Sequence, residues 1–475
     1  MPSKRIPIPF TGQHSKGKNV FMNSEECINY YPEAMKSLIV LRGCPGKLEC
    51  VDVGTNQSID AQIVSQGYVF VVSGGRLHRY DKNYNTITID GIMDVSAPIA
   101  MVENELQIGI FGGARGYYYT HATETLAEIT DADFPGASTA TYQDGYAIVS
   151  KPDSAQFYLS DLNDFSSWDG LEFSSASWKS DQLIRVFSYN RDLWLFGDDS
   201  VEIRYNAGTG TPPFRNIDGA EIEIGCAAPG SVASGGGVVF WLGNDAEGTR
   251  SVLAASARSP REISTTSITE TIEGFTTVSD AIGFTYHENN HLFYELTFPT
   301  EDTTFVYDLA TQLWHKRSTR SDIGTLGRNR INNHVYYDGK HMVGDYTNGK
   351  IYEMSRDYYD ENGDDLIAQR SSPTITQNQD LMTFNEIQIL FGPGTGITTG
   401  DSEDMEPKAI LDWSDDGGIT WGNALEIPIG KLGEYKNRAI EYRLGQARNR
   451  VFRIKVSAAV ERDILGAFSQ VEVDA

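Results

Sequence analysis

From about Gly67 to Met354, short runs rich in Tyr, Val, Phe and Trp keep alternating with polar turns of Gly, Asp or Asn. Val69-Phe70-Val71-Val72 is followed by Ser73-Gly74-Gly75, then Leu77-His78-Arg79-Tyr80, then Asp81-Lys82-Asn83. Runs of this length predict β-strands, because bulky flat side chains pack well on a pleated surface. Gly supplies the positive φ that tight turns need. Roughly six units start near Gln62, Gln107, Gln143, Leu183, Val238 and Phe284, and a further strand pair near His334 is placed to close a ring. Their spacing of about 40 to 55 residues matches four-stranded propeller blades. Phe305-Val306-Tyr307-Asp308 with Trp314 on the return reads as a propeller hairpin.

The pattern changes at both ends. Ile6-Pro7-Ile8-Pro9-Phe10 alternates Pro with apolar residues, which forbids a helix and favours an extended segment. Residues 1–55 therefore read as an extended arm that either lies on a neighbouring subunit or completes a sheet of its own domain. Residues 56–370 read as a roughly six-bladed β-propeller. Residues 371–475 read as an antiparallel β-sandwich, on the alternation in Phe384–Phe391, Arg438–Leu444, Val451–Val456 and Gln470–Val473. Helical periodicity is nearly absent, so the fold class is all-β. A chain of 475 residues supports two or three domains.

A net charge of −26 argues against a surface that clamps nucleic acid, which needs Lys and Arg to replace counterions. The same charge suits either plain solubility or a passage through which DNA slides without sticking. No basic patch stands out in the sequence. Cys27, Cys44, Cys50 and Cys226 form no CxxC pair, so a zinc ribbon is not expected and reduced thiols are. The N-terminus has no apolar signal core, and no run approaches a membrane span, so no membrane anchor is expected.

Catalytic motifs are weak throughout. Ser414, Asp416, Gly418 and Trp421 fit the Asp-box pattern S-x-D-x-G-x-T-W. Its logic is a turn: the carboxylate collects turn amides, Gly418 takes positive φ, and Trp421 packs beneath. Asp-boxes occur in sialidases, where they are structural. A sialidase also needs three converging arginines, a Tyr–Glu pair and an acid, and no short motif marks these. His287 and His291 are four apart but in a strand–turn–strand context, so they share no helix face and no metal is expected. Asp357–Asp365 has the carboxylates of a calcium loop but not the spacing, and reads as a solvated linker. Gly235-Gly236-Gly237 opens a strand and cradles no phosphate. No catalytic residue and no cofactor is expected. Thr209, Thr211 and Phe214 belong to a Gly- and Pro-rich interruption that is either a projecting partner loop or a plain long connection.

Several short elements, in order, resemble one family. They are Cys27–Pro32 followed by Arg42-Gly43-Cys44-Pro45-Gly46; Gly74-Gly75-Arg76-Leu77; Phe157–Leu162; Trp194-Leu195-Phe196-Gly197 with Ser200-Val201-Glu202; and Asp416-Gly417-Gly418 with Gly422. Together the chain resembles the tail hub or nozzle proteins of short-tailed bacteriophages, also called packaged-DNA stabilisation proteins. The resemblance implies a structural, non-enzymatic virion protein of the phage tail, assembled in the host cytoplasm. It implies a homo-hexameric ring below the portal-adaptor (head-to-tail connector) protein. The ring retains packaged DNA and conducts it during ejection, without binding it specifically. Tail spike, fibre or needle proteins attach to it. On that reading Asp198, Asp199, Glu221 and Glu223 are candidates for lining the lumen. The alternative is a carbohydrate-binding or sialidase-like propeller.

Overall fold

A computed structural model of the chain describes every residue except 1–3, 18–23, 36–37, 97, 180, 322, 393, 395, 399–400, 423 and 475. Among the described residues helix is confined to a 3-10 turn and two short α-helices, Thr266–Glu273 and Ser402–Met405. None is long and apolar enough to cross a membrane.

Six consecutive antiparallel sheets begin with Ile59–Ser65, Ala100–Glu103, Thr139–Gln143, Leu183–Tyr189, Gly225–Cys226 and Ile282–Glu288, and account for the six units of the sequence. They are called blades 1 to 6 in chain order. The further pair near His334 becomes a seventh sheet of Ile331–Tyr337, Lys340–Asp345 and Lys350–Ser355. Its outermost strand is Gly46–Asp52, from the N-terminal segment, paired antiparallel with Lys350–Ser355.

In blades 1 and 5 the strand that faces a neighbour on each side is apolar at successive positions. Val69 and Val71 pack against Met342 and Ile351 of blade 7, while Phe70 and Val72 pack against Ile108 and Tyr119 of blade 2. Val239 and Trp241 likewise join Phe196 and Ile203 of blade 4, and Phe240 and Leu242 join Tyr294 and Trp314 of blade 6. Alternate side chains thus fill alternate cores, each worth about 1.5–3 kcal/mol when fully buried. Seven separate apolar clusters, one at each junction, complete the ring.

The sandwich has one continuous core, built from Phe384, Ile387, Leu411, Phe452, Ile454 and Ile464 among others. One sheet holds Leu381–Phe391 between Ile464–Asp474 and Ala439–Tyr442. The other pairs Ala368–Ser371, Asn449–Val456, Lys408–Ser414 and Leu425–Pro428.

The N-terminal segment is woven through both units of its own chain. Lys4–Ile8 pairs with Ile464–Asp474 in the sandwich. Cys27–Ile28 lies between Leu313–Arg317 of blade 6 and Ala368–Ser371, so one sheet runs from propeller into sandwich. Arg370, with 0% of its surface exposed, pins this weave. Its guanidinium donates to the carbonyls of Phe10 at 2.6 Å and Gln13 at 2.9 Å, and to Glu25 Oε1 at 2.7 Å.

One expectation is corrected. Asp357–Asp365 is not simply a solvated linker. Glu361 is 1% exposed, ion-paired with the equally enclosed Lys47, and 3.6 Å from Arg330. Arg462, also buried, donates to the carbonyls of Tyr359 and Leu366 at 2.7 and 2.5 Å. The acidic run is solvated at Asp364 and Asp365 and anchored at Glu361, because a long carboxylate side chain can reach a buried cation while its neighbours stay wet.

Candidate functional site

The segments that carry the four carboxylates proposed for a lumen adjoin at the junction of blades 4 and 5, through the Val201–Ile222 bridge and the packing of Gly225 on the Asp198 backbone. Asp198 and Asp199 occupy the turn between Asp192–Gly197 and Val201–Asn206, closed by Gly197 N–H donating to Ser200 O at 2.8 Å. Asp181 braces it, accepting from Asp199 N–H at 3.2 Å and the Ser200 hydroxyl at 2.9 Å. Glu221 and Glu223 flank Ile222, whose backbone pairs reciprocally with Val201 at 2.9 Å. Gly225 must be glycine here, since a Cβ would run into the backbone of Asp198 and Asp199. Burial pushes the Asp198 carboxyl up, and the charges of Asp199 and Asp181 add to the shift. No Lys or Arg among the described residues forms an ion pair with any of the four. Glu221 and Glu223 also border an open groove of about 580 Å³ reaching Arg258.

The interruption at residues 207–213 is the turn before the outer strand of blade 4. Thr209 and Thr211 are exposed. Phe214 is not available to a partner: it is 1% exposed and packs with Ile148, Leu159 and Leu195 of blades 3 and 4. The loop's only large apolar side chain is its anchor, because a Phe beginning a strand gains more from the inter-blade core than from water.

The Asp-box residues form a closed turn at the rim of the sandwich. Ser414 Oγ donates to Asp416 Oδ1 at 2.6 Å and accepts from Gly418 N–H at 2.8 Å. Asp416 collects Ile419 N–H at 3.0 Å, Thr420 N–H at 2.9 Å and the Thr420 hydroxyl at 2.5 Å. These bonds hold its carboxyl well below the usual range, led by Ser414 and Thr420. Gly418 has φ 99°, and the Arg453 guanidinium lies 3.6 Å over the Trp421 ring. Arg453 also forks onto Asp412 at 2.9 and 2.5 Å. The Ser414 hydroxyl and both Asp416 carboxylate oxygens are spent on the turn.

Of the two histidines weighed for a metal, His291 is buried in blade 6 and His287 is exposed, and blades 6 and 7 also enclose ionisable groups the sequence did not single out. His291 Nδ1 bonds Asp308 Oδ2 at 2.8 Å, which raises the His291 pKa, and Asp308 also caps its own hairpin at Ala310 N–H and Thr311 Oγ. His334 Nε2 and His341 Nδ1 share a 3.0 Å contact, and burial pulls His334 down to about 3. No signal in a single sequence separates such core histidines from exposed ones. The cysteines are free thiols, and burial pushes Cys27 up to about 12.

A ring of β-blades continuous with a β-sandwich is the architecture of this chain. The chain belongs to the family of bacteriophage P22 Gp10, matching the family's beta-propeller over residues 4–359 and its beta-sandwich over residues 368–472. It is therefore a phage structural protein. Among curated proteins none matches. Solved structures with a similar strand arrangement include the N-terminal domain of Nup159, at TM-score 0.43 and 10% identity over 70% of this chain and 98% of that one. Another is PorZ, a surface component of the type-IX secretion system of Porphyromonas gingivalis, at TM-score 0.32 and 12% identity over 63% and 42%. The extracellular domain of BT4673 from B. thetaiotaomicron has TM-score 0.42 and 11% identity over 87% and 58%. At these scores the likeness says nothing of what this chain does.

Proposed function

We propose that this chain is the tail hub, or nozzle, of a short-tailed phage. It forms a homo-hexameric ring beneath the portal-adaptor protein, retains packaged DNA, conducts it during ejection, and carries spikes, fibres or a needle. The observation that carries this reading is the family match across both units, propeller and sandwich together. The β scaffold is consistent with a conduit, and the Asp-box turn offers no free group for glycan chemistry. The net charge of −26 is consistent with a wall that DNA passes without sticking. The protein works in the virion tail after assembly in the host cytoplasm, and it turns nothing over.

Negative-stain imaging of the purified chain, alone and with the phage's portal-adaptor complex, tests the reading. Six-fold rings with a central channel in either sample support it. A monomer that ignores the adaptor overturns it.

A further inference from the structure

Residues 431–448 depart from the rest of this acidic chain, with five Lys or Arg against Glu434 and Glu441. They surround Ala439–Tyr442, which pairs with Leu381–Phe391 on one side and with no strand on the other among the described residues. Lys431 is spoken for by Glu406 at 2.5 Å. Lys436, Arg438, Arg443 and Arg448 are exposed and form no ion pair with a described carboxylate; Arg448 donates only to the Gln379 carbonyl at 2.5 Å. Tyr435 and Tyr442, among the most exposed aromatics of the chain at 72% and 56%, stand between them. The two intervening glutamates are turned to local backbone: Glu434 accepts from Lys431 N–H and Glu441 from Tyr442 N–H. The basic patch absent from a linear reading is thus an unpaired, cationic, tyrosine-bearing sheet edge.

We propose that this edge is a subunit contact, and that its occupant is the acidic face of a second copy of this chain at blades 4 and 5. The argument is charge complementarity. Asp198, Asp199, Glu221 and Glu223 are the matching group: four carboxylates on adjoining segments of one blade junction, none ion-paired with a described Lys or Arg, although Lys179 donates to the Asp199 carbonyl at 3.4 Å. The two surfaces lie on different units of the chain, so the contact is head-to-tail, and head-to-tail contacts generate rings when the rotation closes. This rests on the ring reading above and moves the four carboxylates from the lumen into the subunit contact. A nucleic acid fits four cations less well, because the remainder of the chain repels it and because phosphates have no use for an open strand edge.

The test is sedimentation of the full chain over a concentration series at low and physiological salt, for wild type, for Lys436→Glu with Arg438→Glu and Arg443→Glu, for Glu221→Lys with Glu223→Lys, and for both sets combined. All substituted residues lie at the surface, and a thermal melt checks that each variant is folded. The wild type is expected to self-associate, less so at physiological salt, where the screening length is about 8 Å. Either single set is expected to weaken association by roughly tenfold or more, and the combined set to restore it. Cations that merely keep sheet edges apart predict the opposite sign, with association rising when they are reversed, and that result overturns the proposal. So do unchanged association in the three-residue variant, or loss without rescue in the combined set. Fluorescence anisotropy with a 30-base-pair duplex, at the same salt, is the other arm. Duplex binding abolished by the cation reversal, with self-association unaltered, reassigns the edge to nucleic acid. Rings that still form on the portal-adaptor complex with every variant overturn this contact and leave the hub reading standing. A wild type that forms no ring under any condition overturns both.

Discussion

The propeller and the sandwich solve the same problem, burial of one sheet against another, with opposite economies of connection. The sandwich packs two sheets over a single core that mixes strands from residues 4 to 474. The propeller splits its apolar contacts among seven junctions, each shared by two neighbouring blades. A sandwich loses one edge when a strand is removed. A ring loses its closure, since the first and last blades then each face water. The N-terminal segment is where the two meet, closing the ring with Gly46–Asp52 and edging the sandwich with Lys4–Ile8.

The largest break in the comparison is removal of residues 1–52. Blade 7 drops to three strands, and the Tyr31 and Val51 contributions to its two junctions go with it. The expected outcome is loss of cooperative thermal unfolding followed by near-ultraviolet circular dichroism. A truncated chain that melts like the full one would show that the ring does not depend on its N-terminal strand.

Next in size is Glu361→Ala, which strands the buried Lys47 charge beside the closing strand. Breaking a buried pair from one side costs about 3–5 kcal/mol. Urea denaturation should show a loss of that order, mostly recovered by Lys47→Met combined with Glu361→Leu. A loss near that of a surface pair, under about 1 kcal/mol, would mean that the pair is wet in solution.

Acid separates the two units further. All eight histidines lie outside the sandwich segment 371–475. Burial leads the lowering of His14, His78, His121, His315, His334 and His341, with His334 at about 3. Groups with a folded pKa below the unfolded value of about 6.5 favour folding fully above that value. Their contribution is lost as pH falls below it, because the unfolded chain then binds more protons. His291 acts in the opposite sense: the Asp308 hydrogen bond raises it, so its contribution is present at low pH and fades as pH rises through its folded pKa. Six against one, the propeller should lose stability before the sandwich between about pH 6.5 and 3. Domain-resolved hydrogen exchange measures this, and simultaneous loss in both units would contradict it.

The smallest effect belongs to Asp416→Ala. Its carboxyl is depressed by Ser414 and Thr420, so its contribution is present above the ordinary carboxylate range and disappears in strong acid. Faster amide exchange at Gly418–Thr420 with little change in global melting is expected. Collapse of the whole sandwich would show that the turn is part of its core.

Much of this architecture was legible before any coordinates. Val69–Val72 shows why: a strand with two dry faces must be apolar at every position, and Gly74 and Gly75 must follow it to turn back. The Asp-box turn was equally readable, because the bonds of Ser414 and Asp416 that close it lie within residues 414–420. Phe214 and Glu361 were misread for one shared reason. A Phe beside a Gly-Pro loop and a Glu in an acidic run look exposed locally, and each is buried by chain beyond its own loop, from blades 3 and 4 for Phe214 and from Lys47 for Glu361.

The sequence by itself determined the all-β class, the repeat, the change to a sandwich and the closed Asp416 turn, since strand periodicity and turn chemistry act over a few residues. Only the tertiary structure decided that the N-terminal strands belong to their own chain, that Arg370 and Glu361 lie inside, and that Lys436 to Arg448 surround a strand open on one side while the segments bearing four carboxylates adjoin at one blade junction. Those outcomes depend on partners from about 20 to more than 300 residues apart, and non-local burial and pairing leave no local period to read.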